Sequence, residues 1–204
     1  MSRDSMVLFS GGIDSAVCLE QARKRGTTHA IIFDYGQPHR IEIEYAEAFA
    51  YNRGISYQVH KIALSKSGLL DKEDDSPVVH GRNLTFLSYA LSIAKATNTG
   101  EVIIGSTSED QALFPDCRAG FIAAFNRISV LLDGPKVSAP LINMRKSDVM
   151  RLAEHLEINL EETWSCYFPI EEEGFYTVPC GKCLACRVRK SGYPNDTKTP
   201  TEEK

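Results

Sequence analysis

Ser10-Gly11-Gly12-Ile13-Asp14-Ser15 stands between a short apolar run, Met6 to Phe9, and an amphipathic stretch from Ala16 to Arg25. Strand, glycine turn, helix is the geometry of an anion cradle. Glycine takes backbone angles that side chains forbid, so the N–H groups of Gly11 and Gly12 can converge on one point. The helix that follows turns its positive end toward the same point. The hydroxyls of Ser10 and Ser15 add further donors. The loop lacks the Lys of a G-x-x-x-x-G-K-[ST] loop and is not a G-x-G-x-x-G turn. A tight strand–helix turn without a ligand is the plainer alternative.

Outward from this loop, the first half of the chain alternates strand and helix signals. Apolar runs at Met6–Phe9 and Ala30–Phe33, with Tyr57–Ile62 after them, read as strands, and Ala16–Arg25 and Glu42–Arg53 as helices. Gly26 and Gly54 stand where helix C-caps are expected. Ser65–Val79 is polar, carries Asp71-Lys-Glu-Asp-Asp75, and reads as a surface loop. Leu84–Ala96 is a long apolar helix ended by Gly100, Glu101–Gly105 a fourth strand, and the stretch on to Asp116 irregular. A helix over Phe121–Leu132, a strand near Val137–Pro140 and a helix at Ser147–Leu156 follow. This βαβ pattern predicts an α/β fold, a doubly wound parallel sheet covered on both faces. From Thr163 cysteines, aromatics and turn residues replace periodic helix. The expected division is an α/β domain over 1–162, an appendage over 163–193 and a disordered tail over 194–204.

A chain of 204 residues with 43% apolar and 25% charged residues suits one soluble domain with a small addition. The net charge of −4 argues against a protein held on nucleic acid by phosphate contacts. No run is apolar enough for a signal-peptide core or a membrane span, so the expectation is a cytoplasmic protein. Six cysteines in that setting suggest metal or catalysis before disulfides. Cys180-Gly-Lys-Cys183-Leu-Ala-Cys186 has the spacing of a compact metal knuckle, and Cys166 is the natural fourth ligand. Four thiolates describe a closed structural Zn2+ site that would stabilise a small appendage. An iron–sulfur cluster uses similar spacing, and a redox dithiol is a third reading. Cys18 and Cys117 stand apart, and Cys18 reads as core packing.

The Ser-Gly-Gly-x-Asp-Ser loop resembles the pyrophosphate loop of the ATP-pyrophosphatase superfamily. Further features narrow the resemblance: Phe33-Asp-Tyr-Gly-Gln37 with His39, Gly81-Arg-Asn83, Pro115-Asp-Cys-Arg118, Pro140-Leu141 followed by Lys146, Thr163-Trp-Ser-Cys-Tyr167, and the cysteine knuckle. In this order they resemble the QueC family of 7-cyano-7-deazaguanine synthases from Met6 to about Tyr193. The chain departs from that pattern at Asp110-Gln-Ala-Leu-Phe114, after Gly105, and in an insert at Phe168–Pro179 with Glu171-Glu-Glu173.

The resemblance implies an adenine nucleotide alpha hydrolase-like, Rossmann-like fold with a small C-terminal zinc-binding appendage. It implies a ligase that uses ATP, Mg2+ and ammonia to turn 7-carboxy-7-deazaguanine into the 7-cyano base, preQ0. Leu8, Phe9, Ser10, Gly11, Gly12, Ile13, Asp14, Ser15, Ala16, Val17 and Cys18 form the implied ATP-binding stretch. Asp14, Lys146 and Arg118 are the catalytic candidates: a carboxylate for Mg2+ or loop order, and two cations to answer charge during adenylation. Their plainer readings are a helix-start acid and two surface cations. Tyr35, Arg82, Asn83, Asp110, Phe114 and Asp116 are the substrate candidates, Asp110 and Asp116 for the guanine-like edge, with helix or loop capping as the alternative for Asn83 and both aspartates. Tyr35 and Phe114 would stack on the base or serve as core or lid aromatics. His39 reads as a polar helix-start residue. Cys166, Cys180, Cys183 and Cys186 are the metal set. The implied partners are the deazapurine base, ammonia and a second copy in a homodimer, with no membrane and no stable nucleic acid. The altered 106–113 stretch motivates an alternative in which an activated deazapurine is joined to a protein or other macromolecule. A tRNA-thiolating enzyme and a non-catalytic nucleotide-binding zinc module are the remaining readings.

Overall fold

A computed structural model of the chain describes residues 4–64, 79, 81–172 and 176–192. Five parallel strands, β1 (Ser5–Leu8), β2 (Thr28–Asp34), β3 (Ser56–Lys61), β4 (Glu101–Ile103) and β5 (Lys136–Ser138), form one sheet in the order β3-β2-β1-β4-β5. The order reverses between β1 and β4. In open parallel sheets a crevice forms there, beyond the carboxyl ends of the strands.

Strand alternation divides the core into two layers. Val7, Phe9, Ala30 and Ile32 pack with α1 (Ile13–Arg23), α2 (Ile41–Asn52) and α6 (Lys146–His155). Met6, Leu8, Ile31 and Phe33 face the other way, toward α3 (Arg82–Ala96) and α5 (Ala119–Leu131). Helices on both faces explain why these strands read as continuous apolar runs. The doubly wound α/β expectation therefore holds. The edge strand β3 is mostly exposed or half-buried. Beyond the sheet, β6 (Ile170–Glu172) pairs antiparallel with β7 (Tyr176–Val178), and α7 (Leu184–Gly192) closes the described chain.

Several local expectations change. The stretch before Asp116 is not irregular: α4 (Ser108–Leu113) forms there, because Thr107 and Asp110 make a reciprocal capping box. Gly100 does not end α3; Asn98, at φ 57°, makes the left-handed turn after the cap at Thr97. Gly54 has the expected positive φ of 63°, whereas α1 is capped by Lys24 in a right-handed conformation and Gly26 is not left-handed. The knuckle region contains the regular helix α7. Of the expected 65–79 loop, only buried Val79 lies within the described residues, and the 194–204 tail lies outside them.

Candidate active site

The glycine loop closes between β1 and α1. Gly11 adopts φ +81°, and a Cβ there would stand 2.4 Å from the Glu42 carbonyl oxygen and 3.1 Å from the Ala46 nitrogen. Both the angle and the fit against α2 thus demand glycine. Ser15 Oγ donates to the Gly12 carbonyl at 2.9 Å and lies 3.1 Å from Ser10 Oγ. The Trp164 N–H donates to the Gly11 carbonyl at 2.9 Å. The loop is therefore shaped from inside by its serines and held from outside by α2 and the irregular segment at Trp164.

The loop forms one end of a cleft of about 290 Å³. Lys146, at the start of α6, reaches across to Asp14 with Nζ 2.7 and 2.6 Å from its two carboxylate oxygens. Both side chains keep partial exposure to the cleft, at 19% and 24%. The Lys146 N–H donates to Glu109 Oε1 at 2.9 Å, which ties α6 to α4. Gly105 backs onto α1: a Cβ there would meet the Asp14 carbonyl carbon and the Ser15 nitrogen at 3.0 Å. No sequence motif marks this glycine, because the close approach is made only by the sheet bringing β4 beside β1.

Leu8, Phe9, Ser10, Gly12, Ile13, Asp14 and Ser15 line the cleft, whereas Gly11 lies behind it and Ala16, Val17 and Cys18 are fully buried in the core. Burial pushes the Cys18 thiol up, with Asp14 adding to the effect. The three belong to the helix that supports the loop, not to its surface.

Tyr35, Arg82, Asn83, Asp110, Phe114 and Lys146 also line the cleft; Arg118 and Asp116 do not. Arg118 is exposed at the start of α5, and its Nε donates to the Gln111 carbonyl at 3.2 Å. Asp116 accepts the Asn83 N–H at 3.1 Å, and its carbonyl accepts from Asn83 Nδ2 at 3.4 Å, so it caps α3. Asn83 itself is not the N-cap; Gly81, at φ +70°, takes that place. Asp110 accepts the N–H and hydroxyl of Thr107 on one oxygen at 2.9 and 2.8 Å. Burial, with Asp14 nearby, raises its pKa. Asp116 thus serves as a cap outside the cleft lining, and Asp110 gives one of its two carboxylate oxygens to a cap. Cys117 lines the cleft, with Asn83 Nδ2 at 3.3 Å from its sulfur. Burial pushes its thiol up to about 11, which argues against a nucleophile at neutral pH.

Arg82 Nη1 donates to the Tyr35 hydroxyl at 3.2 Å, with the guanidinium carbon 6.0 Å from the Tyr35 ring centre. Beside this pair stand two residues to which sequence reading gives no place in the site, His39 and Glu42. Glu42 Oε1 accepts from Gln37 Nε2 at 2.9 Å, and Oε2 lies 3.4 Å from His39 Nε2. Burial pushes the Glu42 carboxyl up to about 7. Burial, with the Arg82 charge, pushes His39 down to about 4. His39 is only 3% exposed, and its Nδ1 has no hydrogen-bond partner among the described residues. Phe33-Asp-Tyr-Gly-Gln37 with His39 is legible as a motif. That its chain turns inward as α2 begins is not.

The four thiols of Cys166, Cys180, Cys183 and Cys186 converge, with all sulfurs within 4.8 Å of one another. No disulfide joins them. Backbone N–H groups of Cys180, Cys183 and Cys186 point at the sulfurs of Cys166, Cys180 and Cys183 at 3.2, 3.4 and 3.5 Å. Hydrogen bonds from the Cys166 and Cys186 thiols pull Cys183 toward its thiolate. This closed all-sulfur set fits a tetrahedral metal ion. The cluster is also joined to the cleft. On α7, Arg189 donates to the Thr163 and Ser165 hydroxyls at 3.1 and 3.0 Å and to the Leu160 carbonyl at 2.6 Å. That segment leads into Trp164, whose N–H holds Gly11.

The family model described as "Queuosine biosynthesis protein QueC" matches residues 4–197. A 7-cyano-7-deazaguanine synthase from Leptospira interrogans is 35% identical over 93% of this chain and 86% of its own length. Another, from Coxiella burnetii, is 34% identical over 98% and 97%. Among solved structures, the U34-tRNA thiolase NcsA from Methanococcus maripaludis, described with its [4Fe-4S] cluster, superposes with a TM-score of 0.58 at 19% identity. That likeness covers 78% of this chain but 58% of the thiolase. The NH3-dependent NAD synthetase from Campylobacter jejuni gives a TM-score of 0.54 at 19% identity over 79% of this chain and 67% of the synthetase. These two likenesses establish the sheet architecture. No described helix is long and apolar enough to cross a membrane.

Proposed function

The chain belongs to the QueC family, and from that premise we propose that it is an ATP-dependent 7-cyano-7-deazaguanine synthase acting on 7-carboxy-7-deazaguanine and ammonia. The observation that carries the reading is the glycine loop at the β1–β4 crevice, with Gly11 packed where no Cβ fits and the Lys146–Asp14 pair across it.

A carboxylate is a poor electrophile and must be activated. Its oxygen attacks the α-phosphorus of ATP, and the bond to the β-phosphate breaks. The pyrophosphate leaves into the loop, where backbone N–H groups and the α1 terminus meet its charge. Lys146 follows that charge, releasing Asp14 as it does. Ammonia attacks the acyl carbon and sheds a proton, AMP departs and an amide forms. Activation of the amide oxygen in the same way, followed by loss of AMP and both amide protons, leaves the nitrile.

Mg2+, when bound, supplies positive charge to the phosphates, and Asp14 is the carboxylate that would hold it. Zn2+ is the metal that best suits Cys166, Cys180, Cys183 and Cys186, in a structural role with no open position. Arg82 and Asn83 belong to the acceptor side, and Phe114 to its mouth. Arg118 has no part in this reading.

The test is direct. Purified protein with carboxy-deazaguanine, ammonium, Mg2+ and ATP is expected to give the nitrile base by mass spectrometry, with ATP cleavage that depends on the base. Base-independent cleavage, or no nitrile, overturns the proposal.

A further inference from the structure

We propose that Glu42 is the specificity residue for the base, its carboxylate accepting two adjacent N–H donors from the guanine-type edge of the deazapurine. The inference rests on the synthase reading and adds to it the group that selects the ring.

Of the two aspartates expected to read that edge, Asp116 lies outside the cleft lining and caps α3, and Asp110 gives one oxygen to the α4 capping box. Glu42 stands instead at the Tyr35–Arg82 end of the cleft. It lines the cleft with its side chain 17% exposed. One oxygen accepts a single hydrogen bond, from Gln37; the other accepts none among the described residues and has neutral His39 at 3.4 Å. An ionised carboxylate can accept about four hydrogen bonds, so Glu42, which is partly open to the cleft and accepts one, has acceptor positions to offer a ligand. Burial raises the Glu42 pKa, as expected of a carboxylate that has lost water without gaining a full set of donors.

The surroundings suit a flat polar ring. Tyr35 and Tyr167 supply aromatic surface, and Arg82 keeps N–H donors beyond the one given to the Tyr35 hydroxyl. Arg82 and Glu42 make no ion pair with each other, and both line the cleft. A guanine-type edge presents a ring N–H beside an exocyclic NH2, two donors for two carboxylate oxygens. An adenine edge presents one donor beside an acceptor, which an ionised carboxylate repels.

The experiment measures binding at pH 8, where Glu42 is ionised, in the presence of a non-hydrolysable ATP analogue. Two bases are titrated by calorimetry: 7-carboxy-7-deazaguanine and its analogue lacking the 2-amino group. Wild-type protein is expected to bind the complete base on the order of 10–100-fold more tightly. In Glu42→Gln that ratio is expected to fall to a few-fold, with the affinity for the ATP analogue unchanged. A wild-type protein that binds both bases equally overturns the inference and leaves the synthase reading standing, and this arm needs no variant. The inference falls equally if Glu42→Gln keeps the full ratio, or loses affinity for the ATP analogue instead, which would assign Glu42 to the nucleotide. Wild-type protein that binds neither base overturns the synthase reading and the inference together.

Discussion

At the end of the cleft proposed to take the phosphates, six consecutive residues, Ser10 to Ser15, supply the turn, the hydroxyls and the helix terminus. At the end proposed to take the base, called the base end below, Tyr35, His39, Glu42, Arg82 and Tyr167 come from three separate segments and meet only after folding. A loop that closes on itself within a few residues fixes its own chemistry locally. A pocket assembled from distant segments depends on which way each chain turns at the end of its strand. The first end is accordingly intolerant of backbone change, and the second is tuned through side chains.

The largest expected effect breaks the local end. Gly11→Ala places a methyl group 2.4 Å from the Glu42 carbonyl oxygen at φ +81°. Strain and displacement of α2 should cost on the order of 2–4 kcal/mol of stability. ATP cleavage should fall at least about 100-fold, because the loop proposed to take the phosphates loses its shape. Since the obstructing atom belongs to Glu42, the lesion also reaches the base end. Wild-type turnover in this variant would show that the loop does not need its observed shape.

The next effect sharpens the contrast between a cation that crosses the cleft and one that does not. Lys146→Met removes the partner of Asp14 and should lower kcat/KM on the order of 10²–10³-fold. Arg118→Ala should leave it within about twofold, since that side chain lies outside the cleft lining and, among the described residues, hydrogen-bonds only the Gln111 carbonyl. Steady-state pyrophosphate release separates the two, and equal losses would reject the assignment.

A smaller effect tests how far the phosphate end is independent. Arg189 and Trp164 link the cysteine cluster to the Gly11 carbonyl. Stripping the metal with a chelator should lower the melting temperature and weaken ATP binding about tenfold, within the usual range of coupling between sites. Calorimetry on stripped and reloaded protein checks this. An unchanged nucleotide affinity would show that the cluster supports only its own segment.

The same contrast explains what can be read in advance. The loop, the parallel sheet and the four thiols are legible because each is encoded by short-range spacing or strand periodicity. Lys146 is legible as a residue, but its partner is not, since 132 positions separate it from Asp14. Arg118 misleads because a cation near a motif looks the same whether it faces the cleft or solvent. Asp110 lies in the cleft lining, but the helix it caps is not foreseen: Thr107 and Asp110 already spell a capping box, yet that helix is short enough to pass for irregular chain. Gly105 and Glu42 leave no local signal, because each matters through an approach between elements that are distant in sequence.

The smallest effect concerns the base end and appears only as a difference. In the folded, ligand-free protein Glu42 is raised from 4.5 to about 7, and His39 is lowered from 6.5 to about 4. A raised carboxyl contributes stability at low pH and loses it as pH rises through the folded value. A depressed imidazole does the opposite, contributing above its unfolded value and losing that contribution as pH falls. Between pH 4.5 and 6.5 the folded pair holds one proton, on Glu42. The unfolded pair also holds one, on His39. The two slopes therefore cancel, and this pair makes wild-type stability flat across the window. Each single variant uncovers the other group. Relative to wild type, Glu42→Gln should gain stability with rising pH by about 1 kcal/mol per unit, and His39→Gln should lose it at a similar rate. Urea melts at about pH 5 and 6 measure both slopes against the same background of surface carboxylates. Parallel slopes in all three proteins would mean that the proton does not change places on folding, and that burial leaves the two groups of the base end with their ordinary titration.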